Sequence, residues 1–497
     1  MLSAKNGKPL YEQMSALEQV RQLETGETTS RALLEHYIQT VQDRNPAVNA
    51  VIATQLDTAR RQADAADKAR KQGESLGPLQ GLPMTIKDSY EVPGMPCTSG
   101  NPDFKDYYPT GSAKAVQRLT DAGAIVFGKT NVPLMTADIQ TYNRVYGTTS
   151  NPVNPARTAG GSSGGAAAAL ALGMTPLELG SDIGGSIRIP AHFCGVYGHK
   201  STHGIIPLRG HVPGNPGDVR EPELAVAGPM ARHAEDLSFM LDIIADSSST
   251  ADRGWQLRLP RPRHEQLRQF RVLMWIEDEA CPIENQMRAV YQKLKIQLEQ
   301  AGVDVTVGAP LGKGLTEFYA PYAQQLSSKM MTFSPAIQRG LMRAAAPLIK
   351  GLGKMAPLPA HADSFYRGAG LSHAQWLNSV EQSMRLQEAF QTVFDQYDVI
   401  LAPPTFCTAF AHDHSRFLAS RKVQVDGINR HYADLFMWIA PATLLGLPST
   451  CAPVGKTDQG MPVGVQIIGA PYMDKTTIRF AECLAAQSAT TTAANAA

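Results

Sequence analysis

The chain lacks an excess of charge of either sign, which excludes several classes of partner. Its 497 residues include 46 Lys and Arg against 45 Asp and Glu, for a formal net charge of +1. A chain so balanced provides no basic field to attract nucleic acid or an anionic membrane surface. We therefore expect a small-molecule substrate and no nucleic-acid partner.

Paired cysteines and long apolar runs are also missing. None of the six cysteines forms a Cys-x-x-Cys pair, which argues against a structural zinc or a redox pair. The apolar run from Ala166 to Leu172 is far shorter than the roughly 20 residues of a membrane span. Residues 1–10 contain no apolar segment of the signal-peptide kind. We expect a cytoplasmic protein without a membrane span.

The sequence does not indicate a metal site either. His412-Asp413-His414 places three candidate ligands in one polar segment, but no further ligand follows at a spacing typical of zinc sites. Such a segment is typical of a solvated loop. We expect neither a metal nor a cofactor.

What the chain does contain is an alternation of short apolar segments with helical ones, which is typical of α/β architecture. The pattern of apolar residues in 1–75 predicts helices, one of which starts at Thr29-Ser30 and stops at Asn45-Pro46. Strands are predicted at 82–86, 124–127, 271–276, 303–307, 399–401, 449–454 and 463–468. No linker-like segment divides the chain, so we predict an α/β fold with a mixed central β-sheet flanked by α-helices in a single domain.

Two serines 24 positions apart lie in glycine-rich segments. Ser162 belongs to Ala159-Gly160-Gly161-Ser162-Ser163-Gly164-Gly165, and Ser186 to Ser181-Asp182-Ile183-Gly184-Gly185-Ser186-Ile187-Arg188. Glycine allows backbone conformations in which consecutive N–H groups converge on one point, as an oxyanion hole requires. The two segments together predict acyl-transfer chemistry.

Residues 160–164 also match the Gly-x-Ser-x-Gly pattern of a nucleophile elbow, which would make Ser162 the nucleophile. That elbow must follow a strand directly. Here the preceding residues 151–157 contain two prolines and no apolar run. The context therefore disfavours the elbow.

Lys87 offers a base that needs no histidine. It follows an apolar segment predicted to be a strand, where burial would lower the pKa of its amine from the usual value of about 10.4. A free amine can remove the proton of a serine hydroxyl. A second hydroxyl between the amine and the attacking serine could relay that proton.

These segments resemble the amidase signature family, which includes fatty acid amide hydrolase, bacterial aryl acylamidases and the amidase subunit of the glutamyl-tRNA amidotransferase. The resemblance extends over nearly the whole chain and is closest to the stand-alone bacterial acylamidases. Its motifs are residues 81–88, 127–131, 160–165, 182–190, 195–198 and 462–466. The intervals of 75 residues from Lys87 to Ser162 and of 24 from Ser162 to Ser186 agree with the family's Lys, cis-Ser, Ser triad.

The resemblance implies a role for each residue of this triad. Ser186 would be the nucleophile, Ser162 the proton relay on a cis peptide bond, and Lys87 the base. The oxyanion hole would consist of the backbone N–H groups of Ile183, Gly184, Gly185 and Ser186.

Supporting roles are expected for Ser163, beside the cis bond, and for Asp182 and Arg188, as an ion pair that braces the glycine loop without touching substrate. Met135, Tyr142 and Tyr146, downstream of the second motif strand, are candidate pocket residues, although core packing would give the same spacing.

The resemblance also implies the reaction, which is hydrolysis of carboxylic amides, such as aryl or alkyl acylamides, through an acyl-enzyme on Ser186. The same triad could instead cleave esters or carbamates (urethanes). The chain could also be the amidase subunit of a tRNA-dependent amidotransferase. Against that, residues 210–214 and 224–229 stand where the subunit carries a serine-rich stretch ending in Leu-Asp-Gln-Ile-Gly-Pro. A binding protein on an inactive fold is a further alternative, which the intact triad disfavours.

Five regions follow from this interpretation, and we expect a monomer or a homodimer. The regions are an N-terminal helical segment packed on the core (1–75), the amidase signature core (75–230), a variable middle (231–395) with a helical substrate-pocket or lid region at about 309–380, the C-terminal part of the sheet (396–489), and a disordered tail (490–497).

Overall fold

Apolar segments of the chain form the strands of two sheets and two short hairpins in a computed structural model. The structure describes residues 11–213, 215–246, 254, 256–332, 334–352, 358–359, 361–415 and 420–496. The strands are β1 (Val51–Thr54), β2 (Pro83–Lys87), β3 (Ile125–Thr130), β4 (Tyr142–Asn143), β5 (Gly147–Thr148), β6 (Leu177–Asp182), β7 (Tyr197–Lys200), β8 (Val226–Ala231), β9 (Arg271–Met274), β10 (Asp304–Val307), β11 (Val399–Ala402), β12 (Lys422–Val425), β13 (Ile428–His431), β14 (Ser449–Lys456) and β15 (Pro462–Ile468).

Helices cover these sheets. They are α1 (Ala16–Thr25), α2 (Ser30–Val48), α3 (Leu56–Lys71), α4 (Lys114–Asp121), α5 (Gly164–Ala171), α6 (Arg188–Cys194), α7 (Glu235–Ile244), α8 (Asn285–Gln300), α9 (Leu315–Met330), α10 (Ala336–Leu352), α11 (Ala362–Gly368), α12 (His373–Gln396), α13 (Ala440–Leu444) and α14 (Asp474–Ala496). None of these described helices is long and apolar enough to cross a membrane.

The larger sheet has eight strands in the order β10-β9-β11-β15-β14-β7-β8-β6. The first three strands run parallel to one another, and every later neighbour is antiparallel. This confirms the predicted fold class, a mixed central sheet flanked by helices in one domain.

The strand that carries Lys87 lies outside this sheet. β2 pairs in parallel with β3, and β3 pairs with β1 in a separate three-stranded sheet. Side chains join β2 to β6 at the edge of the larger sheet, since Thr85 Oγ1 donates to Glu178 Oε1 at 2.6 Å. At the ends of these two strands, Nζ of Lys87 in β2 lies 2.9 Å from Oγ of Ser181 in β6, just before the segment that carries Ser186.

Small residues allow this close approach. α5 follows Ser163, and its buried side includes four consecutive alanines, residues 166–169. A Cβ at Gly165 would lie 2.4 Å from the backbone nitrogen of Asn131 at the end of β3. The helix that begins at the Gly/Ser segment is therefore pressed against the smaller sheet, which fixes the position of Ser162.

Three predictions near the chain ends differ from the structure. β1 interrupts the expected helices of 1–75. The helix before it, α2, passes Pro46 and ends at Val48, and the Asn45 side chain accepts the N–H groups of Ala50 and Val51 beyond that end. The expected start is correct, since Thr29 Oγ1 accepts the N–H of Ala32. The tail expected to be disordered is helical through Ala496, because an alanine-rich segment readily extends an existing helix. Residue 497 and residues 1–10 lie outside the described residues.

Most of the described residues of the segment 309–380 are helical, in α9, α10, α11 and the start of α12. Its role as a lid or pocket, like the five regional boundaries, stays a prediction.

Candidate active site

Lys87 is the last residue of β2, and its side chain is completely buried. Its Nζ lies 2.8 Å from Ser162 Oγ, 2.8 Å from Ser163 Oγ and 2.9 Å from Ser181 Oγ. An ammonium donates three hydrogen bonds, whereas a neutral amine donates two and accepts one. Because a hydroxyl both donates and accepts, these three partners can satisfy Lys87 in either protonation state.

Burial makes the charged form of Lys87 costly. It lowers the pKa of the amine to about 7, against the opposing effect of the negative charges of Asp182 and Glu178. Near neutral pH, Lys87 is therefore a free amine in a large fraction of the protein molecules. A lysine in this state can accept a proton from a neighbouring hydroxyl.

Ser162 stands between Lys87 and the second serine segment. The peptide bond that joins it to Gly161 is cis, as the family resemblance implies. A Cβ at Gly161 would lie 2.6 Å from the carbonyl oxygen of Asp138, so the backbone here has no room for a side chain. The two serine segments are tied together by the N–H of Ser163, which donates to the carbonyl oxygen of Ser186 at 3.1 Å.

Ser186 lies in the turn between β6 and α6 and is 7% exposed. Its Oγ has no hydrogen-bond partner among the described residues, so the structure does not join it to Ser162 Oγ. Hydrogen bonds between catalytic groups are often long or absent before substrate binds. The Ser186 hydroxyl is therefore free of hydrogen bonds to the described residues, and the residue is partly accessible to solvent.

Residues 183–186, here called the oxyanion turn, do not offer all four of the expected donors. The N–H of Gly185 donates to Asp182 Oδ1 at 2.9 Å, so a carboxylate occupies this donor in the structure, and the predicted role of Gly185 in an oxyanion hole stays a prediction. The N–H groups of Ile183, Gly184 and Ser186 have no acceptor among the described residues. Three unengaged donors thus remain around Ser186.

Asp182 and Arg188 form the expected buried ion pair. Arg188 Nη2 lies 2.9 Å from Asp182 Oδ1, and both side chains are inaccessible to solvent. Although burial acts to raise it, the pKa of Asp182 is lowered to about 2 by the charge and hydrogen bonds of Arg188. The same carboxylate also accepts the N–H groups of Gly185 and Ile187, so the pair holds the backbone on both sides of Ser186.

The three predicted pocket residues are not hydrogen-bonded to Lys87, Ser162 or Ser186. Tyr142 Oη accepts from Arg421 at 2.6 Å, and its ring stacks on His414 at 3.9 Å between centroids. The N–H of Met135 donates to Ser99 O at 2.7 Å, and Tyr146 accepts through its backbone carbonyl from Asn49. Their place in a substrate pocket stays a prediction.

The segment His412-Asp413-His414 packs on the same part of the molecule. His414 stacks on Tyr142, and the backbone of Asp413 exchanges two hydrogen bonds with the side chain of Gln140. Within the part of the chain that the structure describes, no three His, Cys, Asp or Glu side chains are grouped as they would be around a metal ion.

Sequence reasoning missed several neighbours of the site. Ser181 is the third hydrogen-bond partner of Lys87. It directly precedes the motif of residues 182–190, and this position was the signal in the sequence that could have identified it. Tyr322 Oη donates to the carbonyl oxygen of Ile183 at 3.0 Å. A Cβ at Gly184 would lie 2.8 Å from the ring of Phe436. These last two come from distant segments, and nothing in their local sequence marks them.

Comparison with known proteins gives matches along most of the chain. The sequence model of the family described as Amidase matches residues 32–478. A glutamyl-tRNA(Gln) amidotransferase subunit of Synechococcus sp. (strain CC9605) is 30% identical over 473 residues, which span 90% of this chain and 91% of that protein.

Two solved structures are similar over nearly the whole chain. The structure of 6-aminohexanoate cyclic dimer hydrolase complexed with substrate has 25% identity and a TM-score of 0.75, with 96% of this chain and 98% of that chain covered. A bacterial aryl acylamidase of the amidase signature family has 23% identity and a TM-score of 0.77, with 96% of each chain covered, and it shares the fold.

Proposed function

The chain belongs to the amidase signature family, an enzyme family that hydrolyses amide C–N bonds, and we propose that it acts as a stand-alone amidase through an acyl-enzyme on Ser186. The observation that carries this proposal is the buried contact between Lys87 and Ser162, 2.8 Å long, beside a turn with three unengaged N–H donors. A base, a relay hydroxyl and an anion-binding turn are the parts that acyl transfer requires.

Acylation begins with the free amine of Lys87. It accepts the proton of Ser162 Oγ, while Ser162 accepts the proton of Ser186 Oγ after that hydroxyl rotates toward it. Ser186 Oγ then bonds to the carbonyl carbon of the amide. The carbonyl oxygen becomes an oxyanion, which the N–H groups of Ile183, Gly184 and Ser186 stabilise. Loss of one such donor typically costs about 3–4 kcal/mol of transition-state stabilisation.

Collapse of this intermediate breaks the C–N bond. The proton held by Lys87 returns through Ser162 to the departing nitrogen, so that the product leaves as a neutral amine. Water then attacks the ester on Ser186 and passes one proton through Ser162 to Lys87. When the C–O bond to Ser186 breaks, that proton returns through Ser162 to Ser186 Oγ, and the carboxylic acid leaves. Lys87 needs only to change between amine and ammonium, a change that its three hydroxyl partners accommodate.

The substrates that we propose are aryl or alkyl acylamides. Esters and carbamates present a carbonyl oxygen to the same turn, so a urethanase or esterase activity would use the same residues. A panel of anilides, aliphatic amides, esters and aryl carbamates, assayed with wild type and Ser186→Ala, orders these substrates. Ser186→Ala abolishes turnover and labelling by an activated fluorophosphonate. Continued labelling at Ser162 in that variant would transfer the nucleophile's role to Ser162.

A second candidate function follows from the relatives named as subunits of the glutamyl-tRNA(Gln) amidotransferase, which are 30% identical to this chain. On that proposal the chain would release ammonia from an amide for use by partner subunits. Residues 210–214 and 224–229 argue against it, since the family resemblance implies a serine-rich stretch at this place in the amidotransferase subunit. A purified chain that hydrolyses no simple amide yet binds two further subunits would favour the amidotransferase.

A further inference from the structure

A cleft of about 350 Å³ opens between α9, α12 and α13. We call it the side cleft. Neither Lys87 nor either catalytic serine lines it, so the reaction proposed above leaves it without a role. Its apolar lining consists chiefly of Leu224, Trp376, Val380, Met384, Leu444 and Tyr472.

Three separate contacts connect the side cleft to the oxyanion turn or to the residues that flank it, Asp182 and Arg188. Val226, two residues beyond Leu224, pairs with Asp182 at the last position of β6. Thr443, which lines the cleft, accepts a hydrogen bond of 2.8 Å from Arg188. The third contact comes from α9, where Tyr322 donates to the carbonyl of Ile183 one turn before Gln325, another lining residue.

These contacts come from a strand, from α13 and from α9, so three different elements connect the cleft to the oxyanion turn and its neighbours. The topology agrees with them. β6 and β7 end, and β8 and β14 begin, at the same edge of the larger sheet. Residues that follow or precede these strands therefore gather at the edge where Ser186 lies.

The polar groups of the cleft favour an uncharged ligand. Among the described lining residues there is no Lys or Arg, and the carboxylate of Glu223 is paired with Arg220 at 2.9 Å. The buried Gln325 donates through Nε2 to Ser379 and to Ser383 Oγ. These bonds lock its amide and leave Oε1 as an acceptor with no partner among the described residues.

We propose that the side cleft binds the uncharged apolar group of the amide substrate, aromatic or branched aliphatic, and that Gln325 Oε1 accepts a hydrogen bond from an N–H or O–H of that substrate. This inference rests on the proposed amidase function, since it assigns the cleft to that reaction's substrate. It makes substrate choice a property of α9 and α12.

Val380→Trp tests the proposal because it fills the cleft with an indole ring. Two series of amides are compared, one with a fixed small acyl group and growing amines, the other with a fixed small amine and growing acyl groups. For each series, kcat/KM of the bulkiest member is divided by kcat/KM of the smallest. In one of the two series this ratio should be at least about tenfold lower for Val380→Trp than for wild type, which is an effect typical of steric discrimination in pockets. An equal effect on all members of both series, or none, overturns the inference.

Leu377→Trp is the matched control. Leu377 lies on the same helix but is 52% exposed and does not line the cleft, so the size dependence of both series should equal that of wild type. Gln325→Leu should raise KM about tenfold for amides that carry an N–H and leave tertiary amides less affected, because a site built to accept a hydrogen bond discriminates against ligands that lack the donor. An equal loss for both kinds of amide overturns the role of Gln325.

Labelling of Ser186 by fluorophosphonate, measured for every variant, distinguishes a misfolded chain from a blocked cleft. A wild type that is labelled but hydrolyses no member of either series overturns the proposed function. If wild type hydrolyses amides and Val380→Trp shows the same dependence of kcat/KM on substrate size, the side-cleft assignment alone is overturned.

Discussion

The Nζ of Lys87 and the Oγ of Ser162 lie 2.8 Å apart inside the protein, at a lysine from which solvent is excluded. Since burial lowers the pKa of that amine to about 7, the fraction of free base grows as the pH rises through 7. We expect kcat/KM to increase over the same range and to level off above it. Measurement of initial rates between about pH 5 and 9 tests this.

Removal of the amine supplies the control. Lys87→Ala should lower kcat at least about 100-fold, the usual contribution of a general base, and should abolish the rise near pH 7. A wild-type profile that is flat between about pH 6 and 9 would contradict a titrating lysine.

Glu178, in β6, is fully buried near Lys87. Its Oε1 accepts a hydrogen bond from Thr85, and its Oε2 has no partner among the described residues. Burial raises the pKa of Glu178 itself to about 7, and in its ionised form its negative charge raises the pKa of Lys87. Glu178→Gln removes that charge, so the midpoint of the pH–rate profile should move to lower pH while the side-chain shape is kept. Asp57→Asn, at an exposed carboxylate, should leave the midpoint where it is. A purely structural Glu178 would change the rate without moving the midpoint.

Local signals in the sequence identified the strand that ends at Lys87 and both glycine-rich segments, because strand ends and glycine clusters are encoded in a few adjacent residues. They did not identify the contact of Thr85 with Glu178, which joins residues 93 positions apart. Nor did they indicate that the N–H of Gly185 donates a hydrogen bond to Asp182, since that bond depends on the orientation of a carboxylate that is also bound by Arg188. Residues that approach from other segments, such as Tyr322, are set by tertiary packing, which no local pattern records.

The ion pair of Asp182 and Arg188 should be important for stability as well as for the turn. Arg188→Met removes one partner and leaves a buried carboxylate unpaired, which typically costs about 3–5 kcal/mol. We expect the midpoint of denaturant unfolding to fall accordingly. Arg385→Met, in an exposed pair with Glu381, should cause only a small part of that loss. Equal losses in the two variants would contradict a structural role for the buried pair.

Gly161 gives the sharpest steric test of the site. A Cβ there would lie 2.6 Å from the carbonyl oxygen of Asp138, so Gly161→Ala must displace the backbone that holds Ser162 against Lys87. We expect kcat to fall at least about 100-fold, since misplacement of a catalytic group by about 1 Å can cost that much, and the unfolding free energy to fall by about 1–3 kcal/mol through overpacking. Gly111→Ala is the matched control, because no atom lies within 4 Å of a Cβ at that position. Its kcat and stability should equal those of wild type, whereas wild-type activity in Gly161→Ala would contradict a relay that depends on the position of Ser162.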